Sequence, residues 1–337
     1  MNFDYNEEQQ LLADSVRRFL QKDYDFEARK KIVASPQGWS AQVWSQLAEM
    51  GLTGLPFSPD YGGFGGGAVD LMGVMEAFGE ALVVEPYLPT ITGALFVARG
   101  GSAEQKRAIL PAVVEGRMKL AFAHIERKQG EKLGVVGAPM ADKLVVSSGS
   151  GLFLIDSARG EMKPYHTLDE MRAADVVLHG AKGEPLGGGL ELIEEVVDFA
   201  TALVCAEAVG AMKFACDTTL EYLKTRKQFG VPIGTFQALQ HRMVDMYISY
   251  EQAKSMACLA CSKVDQAENS VERSRSVSAA KIKIADSARH IGQEAVQLHG
   301  GMGMSEELKV SHSFRRLTVA AQQFGDADHH LERFASL

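Results

Sequence analysis

The first third of the chain carries apolar residues at helical spacing. Asn6 and Gln9 have the spacing of a capping box, and Leu12, Val16 and Phe19 follow them on one helical face. This pattern predicts a first helix that begins just after Asn6.

Further helices are predicted before residue 119. Ser40 and Ser102 are placed to cap two of them, and residues 69–82 form another. The preceding segment, residues 55–68, reads LPFSPDYGGFGGGA and has the glycine content of a phosphate-binding loop. Because it lacks a preceding strand and a GKS ending, we interpret it as a turn into the next helix.

The period of the pattern changes near residue 119. The runs KLAFAHIE, DKLVVSS, GLFLID and ADVVLHG are of β type and are separated by turn residues, so we expect three or four strands of ~5–6 residues here. From about Leu190 the helical period returns, and Val277, Ile284, Ile291 and Leu298 recur every seven residues as one stripe of a bundle helix. The order is therefore helices, a small β region and a long helical bundle.

Composition narrows the classes of function. The chain has 337 residues, 46% of them hydrophobic, and its formal net charge of −8 argues against non-specific binding to nucleic acid. The acidic opening lacks an apolar signal core and no run of 18 apolar residues occurs, so we expect a cytoplasmic protein. Cys258 and Cys261 form a CxxC pair without further ligands nearby, so we interpret them as buried thiols and predict no metal site.

Two motifs in the helical half are specific. They read RKQFGVPIGTFQALQHRMVDM, residues 226–246, and QLHGGMGM, residues 297–304. Together with the softer matches DYGGFGGG and NEEQQLLADSVRRF, they make the whole chain resemble the acyl-CoA dehydrogenase family. Within that family, the segments DFEARKKIVASPQGWS and QQFGDADHHLERFA resemble the small subunits of pimeloyl-CoA dehydrogenases.

The resemblance implies a mainly α fold of the acyl-CoA dehydrogenase type. Its parts are an N-terminal helical domain over residues 1–118, a shortened middle β domain over residues 119–188 and a C-terminal four-helix bundle over residues 189–337.

The resemblance also implies an activity. Members of the family use FAD to desaturate an acyl-CoA thioester between Cα and Cβ. A carboxylate removes the α-proton, a hydride passes from Cβ to the flavin, and the electrons go to an electron-transfer flavoprotein. Members are dimers or tetramers in which the C-terminal bundle of one subunit completes the flavin site of its neighbour.

In that setting the first motif has chemistry suited to FAD. Arg226 offers a planar fork that matches a phosphate group, which a lysine does not. Gln228 and Gln237 donate and accept hydrogen bonds, and Phe229 and Phe236 pack against rings. The alternative is a helix–turn corner capped by an arginine.

The second motif implies a close approach to the adenosine half of FAD. Gly300 and Gly301 lack Cβ atoms, so their backbone N–H groups come close to a ligand, and Gln297 and His299 flank them. By resemblance, both motifs serve the FAD of a neighbouring chain. The alternative for the second motif is a simple Gly-Gly helix end.

Two positions where family members carry the catalytic base hold no carboxylate here. The commoner position lies in a Tyr-Glu-Gly motif near the C-terminus, and Phe324 stands in place of its glutamate. The other lies in the first long bundle helix, where Thr201 stands. Asp326 and Asp328 are carboxylates near the first position, and Glu207 lies near the second. Asp326 is the candidate base, although a cap or a helix contact is the commoner role for such residues.

Two hypotheses follow from these departures and from the small number of strands. The first is a self-sufficient, homo-oligomeric dehydrogenase with an unrecognised base. The second is a half-site subunit of a heteromeric assembly such as a heterotetramer, in which a larger dehydrogenase subunit holds FAD, acyl-CoA and the glutamate. We favour the second because it accounts for both departures together. A flavin oxidase or oxygenase on the same fold is a more distant alternative.

Overall fold

The computed structural model of the protein describes residues 5–149 and 151–337. The first four residues of the acidic opening and residue 150 lie outside this description. The α-helices are α1 (Glu7–Asp23), α2 (Phe26–Ala34), α3 (Ala41–Glu49), α4 (Ala68–Ala81), α5 (Tyr87–Gly100), α6 (Ala103–Val114), α7 (Gly189–Thr225), α8 (Gln237–Gln266), α9 (Ser270–His299), α10 (Lys309–Gln322) and α11 (Ala327–Ser336). The strands are β1 (Leu120–Ala123), β2 (Glu126–Lys128), β3 (Glu131–Val136), β4 (Lys143–Ser148), β5 (Gly151–Asp156), β6 (Glu161–His166), β7 (Arg172–Val177), β8 (Glu184–Leu186), β9 (Lys227–Gln228) and β10 (Val231–Pro232).

Helices α1, α3 and α6 begin directly after the residues that were predicted to cap them. The Asn6 side chain accepts from the Gln9 backbone N–H while the Gln9 side chain accepts from the Asn6 N–H, so the capping box is confirmed. The Ser40 side chain caps α3 by accepting from the Val43 N–H, and Ser102 caps α6 in a second capping box, with Gln105. Each cap supplies an acceptor to an N–H group that the helix cannot pair internally.

The chain forms two compact units. The helical unit contains the residues up to Glu27, Ala68–Val83 and Thr201–Leu337, and the mixed unit contains Ala28–Gly67 and Val84–Ala200. This division differs from the three predicted domains, residues 1–118, 119–188 and 189–337, whose boundaries stay a prediction.

Helix α9 lies at the centre of the helical unit. It packs against α8, α10 and α11, and the predicted stripe of Val277, Ile284, Ile291 and Leu298 is buried along it. A buried hydrogen bond of 3.0 Å between the side chains of Ser249 and Ser287 also links α8 to α9. The heptad spacing therefore predicted the core face of this helix correctly.

The mixed unit holds two four-stranded sheets between residues 120 and 186. Their strand orders are β1-β4-β5-β8 and β2-β3-β7-β6, and among the residues that the structure describes only the β1–β4 pairing in these sheets is parallel. The prediction of three or four strands was wrong. The strands are three to six residues long, and β2 and β6 are almost entirely exposed, so their polar sequences ERK and EMKPYH carry no apolar alternation.

Helix α7 has the length and composition of a membrane-spanning helix. Its most apolar window is 89% buried within the protein, which is typical of the core helix of a soluble protein. We therefore interpret α7 as a core element.

Candidate functional site

The segment between α7 and α8 is a tight hairpin. Strands β9 and β10 pair antiparallel with Gln228 opposite Val231, and Phe229 and Gly230 form a two-residue turn with φ of +55° and +83°. Such turns favour glycine or asparagine at both positions, so Phe229 holds a conformation that costs about 1–3 kcal/mol. Its side chain is 91% exposed. A strained backbone that presents a bare aromatic ring is typical of a binding position.

Arg226 begins this hairpin. Its backbone is fixed on both sides, because its N–H donates to the Tyr222 carbonyl at 2.8 Å and its carbonyl accepts from Ile233 N–H at 2.8 Å. Its side chain is exposed and makes no hydrogen bond or ion pair with any residue that the structure describes. The backbone of Arg226 is therefore fixed, and its guanidinium group is available to a ligand.

The remaining predicted residues of the first motif lie on the same hairpin and at the start of α8. The Phe236 ring contacts that of Phe229 edge to face, with centroids 6.2 Å apart. Gln228 is exposed and donates to the Lys227 carbonyl at 2.8 Å, and Gln237 is exposed in the first turn of α8. Phe236 gives α8 no side-chain cap, so the first N–H groups of that helix are open to an acceptor.

The second motif ends α9. Gly300 has φ +62° and ψ −147°, a conformation that is essentially confined to glycine. A Cβ atom placed on Gly300 or on Gly301 would have no heavy atom within 4 Å, so open space lies above this backbone. Gln297 is exposed one turn earlier. The Gly300 N–H itself donates to the Gln297 carbonyl, so what this stretch offers a ligand is close approach to a backbone without side chains.

The ring of His299 does not join this exposed set. His299 is 4% exposed, its Nδ1 bonds the Ala295 carbonyl at 2.8 Å, and its ring stacks on that of Tyr222 with centroids 4.4 Å apart. Burial lowers the pKa of His299, so the imidazole is neutral at neutral pH. A direct contact of the His299 ring with a cofactor stays a prediction that this geometry does not favour.

The two motifs meet through Tyr222. Its hydroxyl donates to the His299 carbonyl at 3.4 Å, and its own carbonyl accepts from Arg226 N–H. A cleft of about 520 Å³ lies beside the stacked rings, with Phe214 and Lys309 in its wall. Tyr222 was not predicted from the sequence because it lies outside both motifs, one helical turn before Arg226. We call the exposed set the hairpin–glycine face, and its members are Arg226, Gln228, Phe229, Phe236, Gln237, Gln297, Gly300 and Gly301.

The candidate base Asp326 lies elsewhere in the helical unit, at the turn between α10 and α11. It is the N-cap of α11, and its carboxylate accepts from His329 N–H at 2.9 Å. Phe324 and Gly325 precede it with φ of +60° and +110°. The fully buried Lys281 donates from Nζ to the carbonyls of Ala320, Ala321 and Gly325, each at 2.9 Å.

The other carboxylate considered, Glu207, is committed to an ion pair. Arg316 donates from Nε at 2.9 Å and from Nη2 at 2.5 Å to its two oxygens, and both residues are buried. Thr201 is buried in α7 and carries a hydroxyl group. The two positions where family members carry the base, Phe324 and Thr201, therefore hold no carboxylate that could accept a proton.

Comparisons with known proteins cover most of the chain. Residues 187–336 match the family model described as acyl-CoA dehydrogenase, C-terminal domain, and residues 6–117 match its N-terminal domain. The chain is 30% identical to the acyl-CoA dehydrogenase IpdE2 of Mycobacterium tuberculosis, over 94% of this chain and 92% of that one. It is 29% identical to IpdE2 of Mycolicibacterium smegmatis, over 97% and 98%.

Solved structures show the same fold. A steroid ACAD variant of the pair Tcur3481-Tcur3483 superposes with a TM-score of 0.89 at 26% identity, covering 98% of this chain and 97% of that one. PigA, solved with FAD and proline, superposes with a TM-score of 0.89 at 24% identity, covering 100% and 98%. The predicted fold class is confirmed by these similarities.

Proposed function

Because the chain belongs to the acyl-CoA dehydrogenase family, we propose that it is a subunit of an FAD-dependent enzyme that desaturates an acyl-CoA thioester. We further propose that it is the smaller, half-site subunit of a heteromeric assembly. In that assembly it lends the hairpin–glycine face to FAD held by a larger partner.

The proposal rests on the exposure of the hairpin–glycine face. Arg226 has no side-chain partner among the described residues, Phe229 is 91% exposed on a strained turn, and open space lies over Gly300 and Gly301. A stable isolated protein gains nothing from this combination. A dinucleotide cofactor uses all three features, since it has a pyrophosphate, a flat adenine ring and hydroxyl groups that accept from backbone N–H.

The cofactor is FAD, which accepts the hydride in this family. This chain would contribute binding and orientation. The Arg226 guanidinium would neutralise the pyrophosphate, Phe229 and Phe236 would pack against ring surfaces, and the adenosine half would lie close to the side-chain-free backbone at Gly300 and Gly301. The backbone bonds at Arg226 hold these groups in place before the cofactor arrives, which lowers the entropy lost on binding.

The missing carboxylate supports the division of labour between two chains. Phe324 and Thr201 stand at the two positions where family members carry the base, and Glu207 is engaged by Arg316. A larger partner would then remove the α-proton. The structure of the pair Tcur3481-Tcur3483 provides an example of a two-component relative.

The self-sufficient enzyme is the second candidate, and the number of strands in the β region is compatible with it. Eight short strands in two sheets replace the three or four that were expected, so the strand count no longer argues against a flavin held by this chain. The half-site proposal therefore rests on the hairpin–glycine face and on the two positions without a carboxylate.

The finer assignments follow from the same proposal. The resemblance to the small subunits of pimeloyl-CoA dehydrogenases favours an acyl-CoA substrate from fatty acid or dicarboxylic acid degradation. An electron-transfer flavoprotein would accept the electrons, and the enzyme would work in the cytoplasm.

The decisive experiment compares the visible spectrum of the chain purified alone with that of the chain purified with a larger dehydrogenase subunit encoded beside it. We expect a pale homo-oligomer alone and a yellow complex together, which an acyl-CoA bleaches. A yellow homo-oligomer with one FAD per chain, bleached by acyl-CoA without a partner, would establish the self-sufficient enzyme instead.

The Arg226→Lys variant tests the face itself in the assembly that retains FAD. The ammonium keeps the charge and loses the fork, so FAD affinity should fall by roughly 1–3 kcal/mol, while folding stays intact. Arg107→Lys on the exposed surface of α6 is the matched control, because Arg107 is absent from the face. Unchanged FAD affinity in Arg226→Lys would make Arg226 a structural corner.

A further inference from the structure

We propose that Tyr222 is a positioning residue that sets the relative placement of the two segments of the hairpin–glycine face. This inference rests on the proposed function, because it names a residue outside both motifs through which the FAD-binding groups are aligned. Tyr222 does not touch the cofactor in this proposal. It acts through Arg226 on one side and through Gly300 on the other.

Tyr222 is hydrogen-bonded to Arg226, the first residue of the hairpin, and to His299, the residue before Gly300. Its carbonyl accepts from the N–H of Arg226 at 2.8 Å, which starts the hairpin. Its hydroxyl donates to the carbonyl of His299 at 3.4 Å, and the peptide bond of that carbonyl leads into Gly300. The first bond is a backbone bond that any residue at position 222 makes, whereas the hydroxyl bond belongs to the tyrosine side chain and ties the end of α7, where the hairpin begins, to the end of α9.

The ring stack strengthens this link. The rings of Tyr222 and His299 lie 4.4 Å apart and 26° from parallel, and His299 is buried. Because His299 Nδ1 faces the Ala295 carbonyl at 2.8 Å, that nitrogen carries the proton and the ring orientation is fixed by α9 itself. Tyr222 thus packs on a rigid surface that belongs to the helix end preceding the glycines.

The hairpin has one further tie to α8. The side-chain amide of Gln240 donates to the Gly234 carbonyl at 2.9 Å, which holds the end of the hairpin loop. That bond holds the hairpin to α8, and Arg242 of α8 pairs with Glu294 of α9 at 2.6 Å, so Tyr222 adds a direct link from the start of the hairpin to the end of α9. Removal of the tyrosine ring should therefore displace the two segments while both helices persist.

The test uses two variants of Tyr222 in the assembly that retains FAD. Tyr222→Phe removes only the hydroxyl bond, and Tyr222→Leu removes the stack as well. We expect FAD affinity to fall about twofold to threefold in the first variant and about tenfold or more in the second, in line with a lost aromatic contact. Tyr247→Leu, at a tyrosine of α8 that is 55% exposed, is the matched control and should leave the affinity unchanged.

A second measurement needs no cofactor. In the chain purified alone, hydrogen exchange should become faster at residues 300–304 in both Tyr222 variants, with the interior of α9 as protected as in the wild type. This readout distinguishes loss of positioning from general unfolding. It also decides the matter if Tyr222→Leu fails to fold, because Tyr222→Phe keeps the ring.

The outcomes separate this inference from the proposed function. FAD affinity within twofold of wild type in Tyr222→Leu, or unchanged exchange at residues 300–304 in a folded variant, would overturn the role of Tyr222. If Arg226→Lys weakens FAD binding and Tyr222→Leu does not, only this inference fails. If Arg226→Lys has no effect, the proposed function of the face fails, and faster exchange in the Tyr222 variants would still support the link between the two segments.

Discussion

Gly79 on α4 lies so close to Glu207 on α7 that a Cβ atom on the glycine would meet the Glu207 carbonyl oxygen at 1.8 Å. The relationship is reciprocal, because a Cβ atom on Gly210 of α7 would meet the Glu76 carbonyl oxygen of α4 at 1.8 Å. The two helices therefore cross with backbone against backbone. Only glycine permits this approach at either position.

Gly79→Ala and Gly210→Ala should each destabilise the protein strongly. The new methyl group would meet a backbone oxygen, which cannot swing away as a side chain does, so the helices must separate. We expect a loss of about 3 kcal/mol or more in the free energy of unfolding, measured by urea denaturation. Gly292→Ala in α9 is the control, because its nearest atom is the Phe314 ring at 3.1 Å. A similar loss in all three variants would contradict the backbone explanation.

The ion pair between Glu207 and Arg316 should be strongly coupled. Both side chains are buried and joined by two hydrogen bonds, so replacing one partner deprives the other buried charge of both of these bonds. Arg316→Met should lose about 3–5 kcal/mol of unfolding free energy, and the double variant with Glu207→Met should lose less than Arg316→Met alone. A double-mutant cycle measures this coupling. Additive losses would show that the pair contributes no specific interaction.

The sequence predicted those features that depend on nearby residues. The capping box of Asn6 and Gln9 is a contact between residues three apart, and the stripe from Val277 to Leu298 follows the period of a single helix. Both are written into short windows of sequence, so pattern and chemistry suffice. The two motifs of the hairpin–glycine face are also short windows of sequence, and their role at a cofactor stays a prediction.

The features that were missed depend on distant partners or on polar segments. Lys281 bonds carbonyls about forty residues away, and an isolated lysine in a helix gives no sign of that role. Strands β2 and β6 lack apolar alternation because their side chains are exposed. The orientation of the His299 ring also depends on a partner distant in sequence, because the ring is buried against Tyr222, and its contact with a cofactor stays a prediction.

His330 should make the protein sensitive to acid. Burial and then the neighbouring Lys281 lower the pKa of His330 from 6.5 to about 4. The unfolded chain therefore binds more protons between these values, so the stabilisation is complete above pH 6.5 and is lost as the pH falls to 4. The change is at most roughly 3 kcal/mol. His330→Asn should flatten the pH dependence of the unfolding free energy in this window, whereas His329→Asn on the exposed neighbour should not.

Lys281 should make the free energy of unfolding depend on pH in the alkaline range. Burial lowers its pKa from 10.5 to about 8, against the opposing effects of Cys205 and Asp326. The unfolded chain binds more protons between pH 8 and 10.5, so the stability contributed at this site rises with pH across that range by at most roughly 3 kcal/mol. The rise should disappear in Lys281→Met and persist in Lys283→Met on the same helix. An identical pH profile for the wild type and Lys281→Met would contradict the lowered pKa.

Asp326→Asn separates a capping role from a catalytic one. Asparagine accepts from the His329 N–H as aspartate does, so the free energy of unfolding should stay within about 0.5 kcal/mol, whereas Asp326→Ala should lose about 1 kcal/mol. Asparagine cannot accept the α-proton of an acyl-CoA. If the larger partner holds the base, the rate of flavin reduction by acyl-CoA in the assembled enzyme should therefore remain close to that of the wild type in stopped-flow measurements. A fall of about 10³-fold or more with FAD still bound would show that this chain carries its own base, and the half-site proposal would then be wrong.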